Sequence, residues 1–211
     1  MTVNSSSMLP NDIEKESFAR IALELGDRHF PLEQEPIIKR VIHTTADFEY
    51  ADTLHFSQDV VAQAHCALGG GSTIVTDTQM AYSGINKKAA AGCNCQVVCY
   101  MSDEEVANSA KENGTTRAVA AVNKAATLWQ DGIFVVGNAP TALLRICELV
   151  EQQVLQPRLV IGVPVGFVNV VESKERLMQS SIPCIVTKGR KGGSNVAAAI
   201  CNALFYTMKS T

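Results

Sequence analysis

No stretch of eighteen apolar residues occurs in this chain of 211 residues, so the sequence offers no membrane-spanning helix. Its start, MTVNSSSMLPNDIEKE, has neither a basic n-region nor an apolar h-region and does not read as a secretion signal. A basic tract is missing too. The net charge is −3, with 18 Lys and Arg against 21 Asp and Glu, which gives a nucleic-acid partner little electrostatic support. The usual phosphate fingerprints are absent. GGGSTI does not match G-x-G-x-x-G and precedes a strand-like run instead of following one, and G-x-x-x-x-G-K-[ST] does not occur. Neither H-E-x-x-H nor G-x-S-x-G is present, so zinc-hydrolase and nucleophile-elbow chemistry have no support.

Paired cysteines are lacking as well. Seven stand at 66, 93, 95, 99, 147, 184 and 201, an odd number and mostly in apolar segments, which suits a reducing cytoplasm better than a disulfide scaffold. Cys93, Cys95 and Cys99 form the one tight group. Their C-x-C-x3-C spacing has no second ligand pair, and CNCQVVCY reads more as a strand than as a metal site. No protein-bound metal is expected.

What is present is an apolar fraction of 46%, enough for a sizeable core in one domain spanning 1–211, with an N-terminal helical extension at about 11–45. DIEKESFARIALEL spaces Ile13, Phe18, Ile21 and Leu25 as a helix. LEQEPIIKRVI predicts a second, with Pro36 near its first turn, and SQDVVAQAHCAL a third, with Ser57 as N-cap and Gly69-Gly70-Gly71 as its stop. Five short apolar runs follow: TIVT, QVVCY, IFVVG, LVIGV and CIVTK. They are nearly continuous, as in strands covered on both faces, and each precedes a segment that can be helical. The order predicts a three-layer α/β/α domain around a mostly parallel five-stranded sheet. Ligands of such folds bind beyond the carboxyl ends of the strands. There the sequence places TDTQMAYSGINKK, GNAPTA, PVGF and KGRKGGSN, polar and Gly-rich segments that together suggest one broad site. GRKGGSN opens a helix, so an anion can sit on its amides; a nucleotide phosphate and a carboxylate fit it equally.

VIHTTADFEYA, residues 41–51, crowds His43 among polar groups. On its own, His43 is either a helix-end histidine with a local partner or a group that handles a proton. His29, His55 and His65 have no comparable setting.

KRVIHTTADFEYA, TDTQMAYSGINK, GNAPTALLR, GVPVGFVNVVESKERL and GRKGGSNVAAAICNALFY occur in order, and from about residue 13 to 206 the chain resembles the precorrin-8X methylmutase family, in particular its cobalt-precorrin branch of the anaerobic pathway. That resemblance implies a flavodoxin-like α/β fold and a homodimer with active sites near the subunit interface. It implies an intramolecular methyl migration from C-11 to C-12 of precorrin-8 or its cobalt form, giving hydrogenobyrinate or cobyrinate. No separate organic cofactor is implied, and any cobalt belongs to the substrate. The family's catalytic histidine falls on His43, with Asp47 or Glu49 as the group that orients it or raises its pKa.

A flat, heavily carboxylated substrate needs an apolar floor and cations or amides at its rim. The resemblance places Thr44, Thr45, Asp47, Thr76, Met80, Tyr82, Lys87, Arg117, Asn138, Arg190 and Ser194 at the substrate. Met80 and Tyr82 are candidates for the floor, and Arg117 ranks first among the carboxylate clamps. Lys88, Lys174 and Lys191 are further cations in or beside the motifs. The chain departs from the family pattern at Asn169-Val170-Val171, where small residues are usual, and at Ala118. Two other readings stay open: a tetrapyrrole-binding protein without catalysis, and a nucleotide-using α/β transferase.

Overall fold

The computed structural model describes residues 9–208. The first eight residues of the start discussed above, and the last three of the single domain expected over 1–211, lie outside them. In chain order the elements are α1 (Pro10–Leu25), α2 (Glu35–Thr45), α3 (Tyr50–Thr53), β1 (Leu54–Phe56), α4 (Val60–Gly69), β2 (Ile74–Thr76), α5 (Gln79–Gly84), α6 (Lys87–Gly92), β3 (Val97–Val98), α7 (Glu104–Glu112), α8 (Arg117–Leu128), β4 (Ile133–Val136), α9 (Pro140–Glu151), β5 (Leu159–Gly162), α10 (Val170–Gln179), β6 (Cys184–Thr187) and α11 (Ser194–Thr207).

The sheet has six strands in the order β1-β6-β5-β4-β2-β3. Five of them, the five apolar runs, pair parallel. The expected five-stranded sheet is therefore corrected to a mixed six-stranded one. The extra strand is LHF at 54–56, which pairs antiparallel on the outer edge of β6, Leu54 opposite Thr187 and Phe56 opposite Ile185. An edge strand of three half-buried residues carries no alternation long enough to read from sequence.

Side chains along each central strand point alternately to two cores. Ile74, Ile133, Val135, Leu159, Ile161 and Ile185 face one core, packed under α1, α2, α4 and α11. Val75, Phe134, Val136, Val160, Cys184 and Val186 face the other, under α8, α9 and α10. Both faces are dry, which is why these strands read as unbroken apolar runs. The helices expected near the N-terminus form part of this architecture: Ile37, Ile38, Val41 and Ile42 of α2 are buried in the first core.

Two local expectations change. Ile13 is half-exposed, and α1 buries Ile21 and Leu25 instead. Ser57 does not cap α4; its hydroxyl accepts from Cys184 N at 2.9 Å and continues the β1–β6 pairing, while Asp59 takes the N-cap position in a left-handed conformation. The departure at 169–171 also acquires a cause. Asn169 has φ +58°, a conformation that favours glycine and that asparagine tolerates, and Val170 is buried. These residues shape the start of α10 more than a pocket edge.

Candidate active site

Parallel strands place their carboxyl ends on one edge of the sheet, and the segments after β2, β4, β5 and β6 converge there. The chain runs outward in one direction from β2 to β3 and in the other from β4 to β6, so the switch point of the topology lies between β2 and β4. Asp77 stands at that point. Its carboxylate is buried and accepts three backbone N–H bonds from the start of the β4–α9 segment: Gly137 at 2.9 Å, Asn138 at 2.8 Å and Ala139 at 2.8 Å. Burial holds its pKa above the usual carboxylate range, and the backbone N–H donors offset part of that rise. Three donors aimed at two oxygens are satisfied by the ionised form, so we assign Asp77 as an anion that shapes the loop. Sequence reading passed over it. The signal was its position, a carboxylate directly after the wholly buried run Ile74–Thr76.

The start of α11 packs against the same loops. Ser194 is buried and shares a 2.8 Å hydrogen bond with Thr78, whose hydroxyl also caps α5 by accepting from Ala81 N. Two glycines permit this approach. A Cβ on Gly137 would lie 2.7 Å from Ser194 Cα, and one on Gly192 would lie 2.1 Å from Val163 O.

The β6–α11 loop is built on a buried lysine. Lys174, expected as a rim cation, is 0% exposed; its ammonium donates to Gly189 O at 2.9 Å and Lys191 O at 2.8 Å. This corrects the expectation, and the sequence held the cue: Val170, Ser173, Lys174 and Leu177 follow one helical face, and all four are buried. Thr187 also donates to Lys191 O, at 2.8 Å. From this fixed loop Lys191 reaches outward to Asp47 at 2.6 Å and Glu49 at 2.7 Å, which raises its pKa and lowers that of Asp47. The pair ties the turn after α2 to the Gly-rich loop.

Burial pushes Lys174 down to about 8 from an ordinary 10.5. Between those values the unfolded chain binds a proton that the native chain has released, so stability rises with pH across the window. Below it, both states hold the proton. Lys174→Met is expected to remove the rise: unfolding free energies of wild type and variant should diverge by roughly 2–3 kcal/mol from pH 8 to 10.5. Parallel pH profiles in urea unfolding would contradict this.

His43 lies exposed in the last turn of α2, which ends at Ala46 in a left-handed conformation. Its ring stacks on Phe18 of α1, centroids 5.1 Å apart and planes 15° from parallel. Asp47 and Glu49 do not orient it, since both carboxylates turn to Lys191. Thr44 is exposed beside it, while Thr45 donates back to Val41 O at 2.8 Å and so finishes the helix.

The remaining candidates divide. Thr76 is buried, and its hydroxyl is within reach of Thr78 O and Val98 O, both at 3.2 Å. It therefore braces the strand end and presents nothing to a ligand, which corrects its placement at the substrate. Asn138 exposes its side chain beside the Asp77 turn. Met80 is 70% exposed on α5. Tyr82 is half-buried beneath the Lys87 ammonium, which lies 4.1 Å over its ring and donates to Tyr82 O and, at 3.1 Å, Ile85 O. Lys87 thus caps the end of α5, and burial lowers its pKa. Arg190 lies 5.5 Å over Phe167, a ring 83% exposed next to Val168 at 77%. Arg117 is exposed at the start of α8, in the other helical layer, and no contact among the described residues joins it to His43.

Cys95 is buried, donates to Leu68 O at 3.2 Å and is pushed up to about 11 by burial, while Cys93 packs on Met208 at 3.8 Å between sulfurs. These thiols serve packing. Among the described residues no group of three or more His, Cys, Asp or Glu is placed to hold a metal ion, and no helix is long and apolar enough to cross a membrane.

A three-layer α/β domain whose polar loops gather at its switch point, with an exposed apolar and cationic rim and a histidine at a helix end, has the layout in which α/β proteins bind small molecules. The comparisons narrow that class of protein. The family model described as Precorrin-8X methylmutase matches residues 12–207. A cobalt-precorrin-8 methylmutase of Salmonella typhimurium is 52% identical over 176 residues, 83% of this chain and 82% of that protein. Another, of Leptospira interrogans, is 42% identical over 204 residues, 93% of each. The crystal structure of a precorrin-8X methyl mutase from Thermus thermophilus superposes with a TM-score of 0.84 at 41% identity, covering 92% of this chain and 96% of that one. The chain belongs to the precorrin-8X methylmutase family.

Proposed function

We propose that the rim over β2, β4, β5 and β6 seats a carboxylated corrin precursor and that His43 handles the proton of its rearrangement. The chain is an isomerase that moves a methyl group within precorrin-8 or cobalt-precorrin-8, giving hydrogenobyrinate or cobyrinate in cobalamin biosynthesis. The family match over residues 12–207 is the observation that carries this.

The geometry supports a division of labour. Met80, Phe167 and Val168 offer apolar surface to a flat ring, and Arg190 beside Phe167 offers a cation to a carboxylate at its edge. Asn138, Thr44, Asp47 and the first amides of α11 add polar contacts, and Tyr82, with Lys87 across its ring, borders the floor. Arg117 joins from the opposite layer. Substrate and product are isomers, so any proton His43 lends to the macrocycle returns within the cycle. Protonation shifts electron density towards the form that lets the methyl pass from C-11 to C-12, and the methyl itself needs no carrier. Cobalt-precorrin-8 is the proposed substrate form, following the names of the two relatives above. The five parallel strands are proposed as a flavodoxin-like core, and the cytoplasm as the location, from cysteines that are free in the fold.

Purified protein mixed with the substrate tests the activity. Conversion of the absorption spectrum to that of the rearranged macrocycle supports it; a bound but unchanged spectrum would leave a tetrapyrrole-binding protein.

We also propose a homodimer with the substrate near the interface. Phe167 and Val168 protrude from this rim, and a second subunit over it would exclude water and strengthen cation–carboxylate contacts. On dilution, activity per chain should fall together with the sedimentation coefficient; a fully active monomer would overturn the requirement.

A further inference from the structure

Asp47 and Glu49 are turned to Lys191, and the imidazole of His43 is stacked on the ring of Phe18. We propose that Phe18 is a positioning residue for His43, an inference that rests on His43 being the proton donor. Phe18 is itself held in place. The Arg40 guanidinium lies 4.7 Å over its ring and 5.2 Å over Tyr206, and it pairs with Glu14 of α1 at 2.5 Å. The Tyr206 hydroxyl accepts from Asn86 at 3.0 Å. Arg40 and His43 are three residues apart on α2 and so share a face, and Phe18 of α1 meets both.

The chemistry favours an apolar partner here. A carboxylate orients imidazole by taking one ring N–H, which fixes the tautomer and favours the charged form. A stacked phenyl ring holds the imidazole plane and leaves both nitrogens unoccupied. A donor that must lend a proton and recover it from the same macrocycle gains from that arrangement. An exposed histidine without the stack samples more rotamers, and misplacement of a transferring group by about 1 Å costs up to roughly 10²-fold in rate.

The test compares Phe18→Leu, Phe18→Met and Phe18→Tyr with wild type, and repeats Phe18→Leu in a His43→Ala background. Thermal unfolding and sedimentation of each variant identify those that are folded. Phe18→Leu and Phe18→Met should lower kcat about 10-fold with KM and product affinity unchanged, and Phe18→Tyr should restore kcat to within about 2-fold. In the His43→Ala background, Phe18→Leu should have no further effect. Wild-type kcat in folded Phe18→Met, a loss confined to KM, no rescue by tyrosine, or an added loss on top of His43→Ala would each overturn the proposal. If His43→Ala itself turned over at the wild-type rate, the proton-donor reading would fall first and this one with it.

Discussion

His43→Ala is expected to lose about 10²–10⁴-fold in turnover while binding substrate and product with nearly wild-type affinity, because removal of a general acid weakens the transition state more than the ground state. The fold should be indifferent to the change. His43 is exposed, accepts and donates no side-chain hydrogen bond among the described residues, and stacks on Phe18. A drop in kcat with unaltered thermal stability is therefore the signature, checked by steady-state kinetics and product titration. Near-wild-type kcat in the folded variant would remove His43 from the reaction.

Asp77→Ala should have the largest effect on the fold. It leaves the N–H groups of Gly137, Asn138 and Ala139 without their acceptor, the first buried and the other two at part-buried bonds. Each stranded donor costs about 1–3 kcal/mol, and partial relaxation of the loop brings the expected loss to roughly 3–5 kcal/mol. For a domain of this length that is a fall of about 10 °C in melting temperature. Asp77→Asn should fall between, since its amide offers one acceptor oxygen and sets an NH2 group against a backbone donor. Activity should fall in both, because Asn138 and the segment next to Ser194 are positioned by the same loop. An Asp77→Ala protein that melts within about 2 °C of wild type would show that the loop holds without the carboxylate.

The sequence made much of this architecture legible, for identifiable reasons. Four dry strands are legible because both faces of the sheet are buried there, so period-two alternation collapses into runs such as IFVV and LVIG. The edge strand Leu54–Phe56 is not, being three residues long and half-buried. The location of most of the rim followed from chain order, since the polar and Gly-rich segments after β2, β4, β5 and β6 each come directly after an apolar run, whereas the His43 segment follows a helix.

The roles within the rim were harder. Thr76, Lys87 and Lys174 look from sequence like groups awaiting a ligand. Thr76 and Lys174 are buried, Lys87 is turned back on α5, and the polar atoms of all three are engaged by backbone carbonyls. Motif membership says nothing about which way a side chain points, although for Lys174 the spacing of Val170, Ser173 and Leu177 already placed it on the inner face. The pairing of Lys191 with Asp47 and Glu49 joins residues more than 140 positions apart in sequence, which no local pattern predicts. The stack of Phe18 on His43 is of the same kind: helical periodicity marked Phe18 as apolar-face, and its neighbour on α2 was decided by how two helices pack.

The central claim is that the methyl group never leaves the molecule it started on. Substrate labelled in both the C-11 methyl and the ring, mixed with unlabelled substrate and turned over by protein freed of nicotinamide, flavin, folate and S-adenosylmethionine, tests it most directly. Mass spectrometry of the product should find doubly labelled and unlabelled molecules alone, formed at the undiminished rate; singly labelled product, or no turnover until a cofactor is restored, would contradict it.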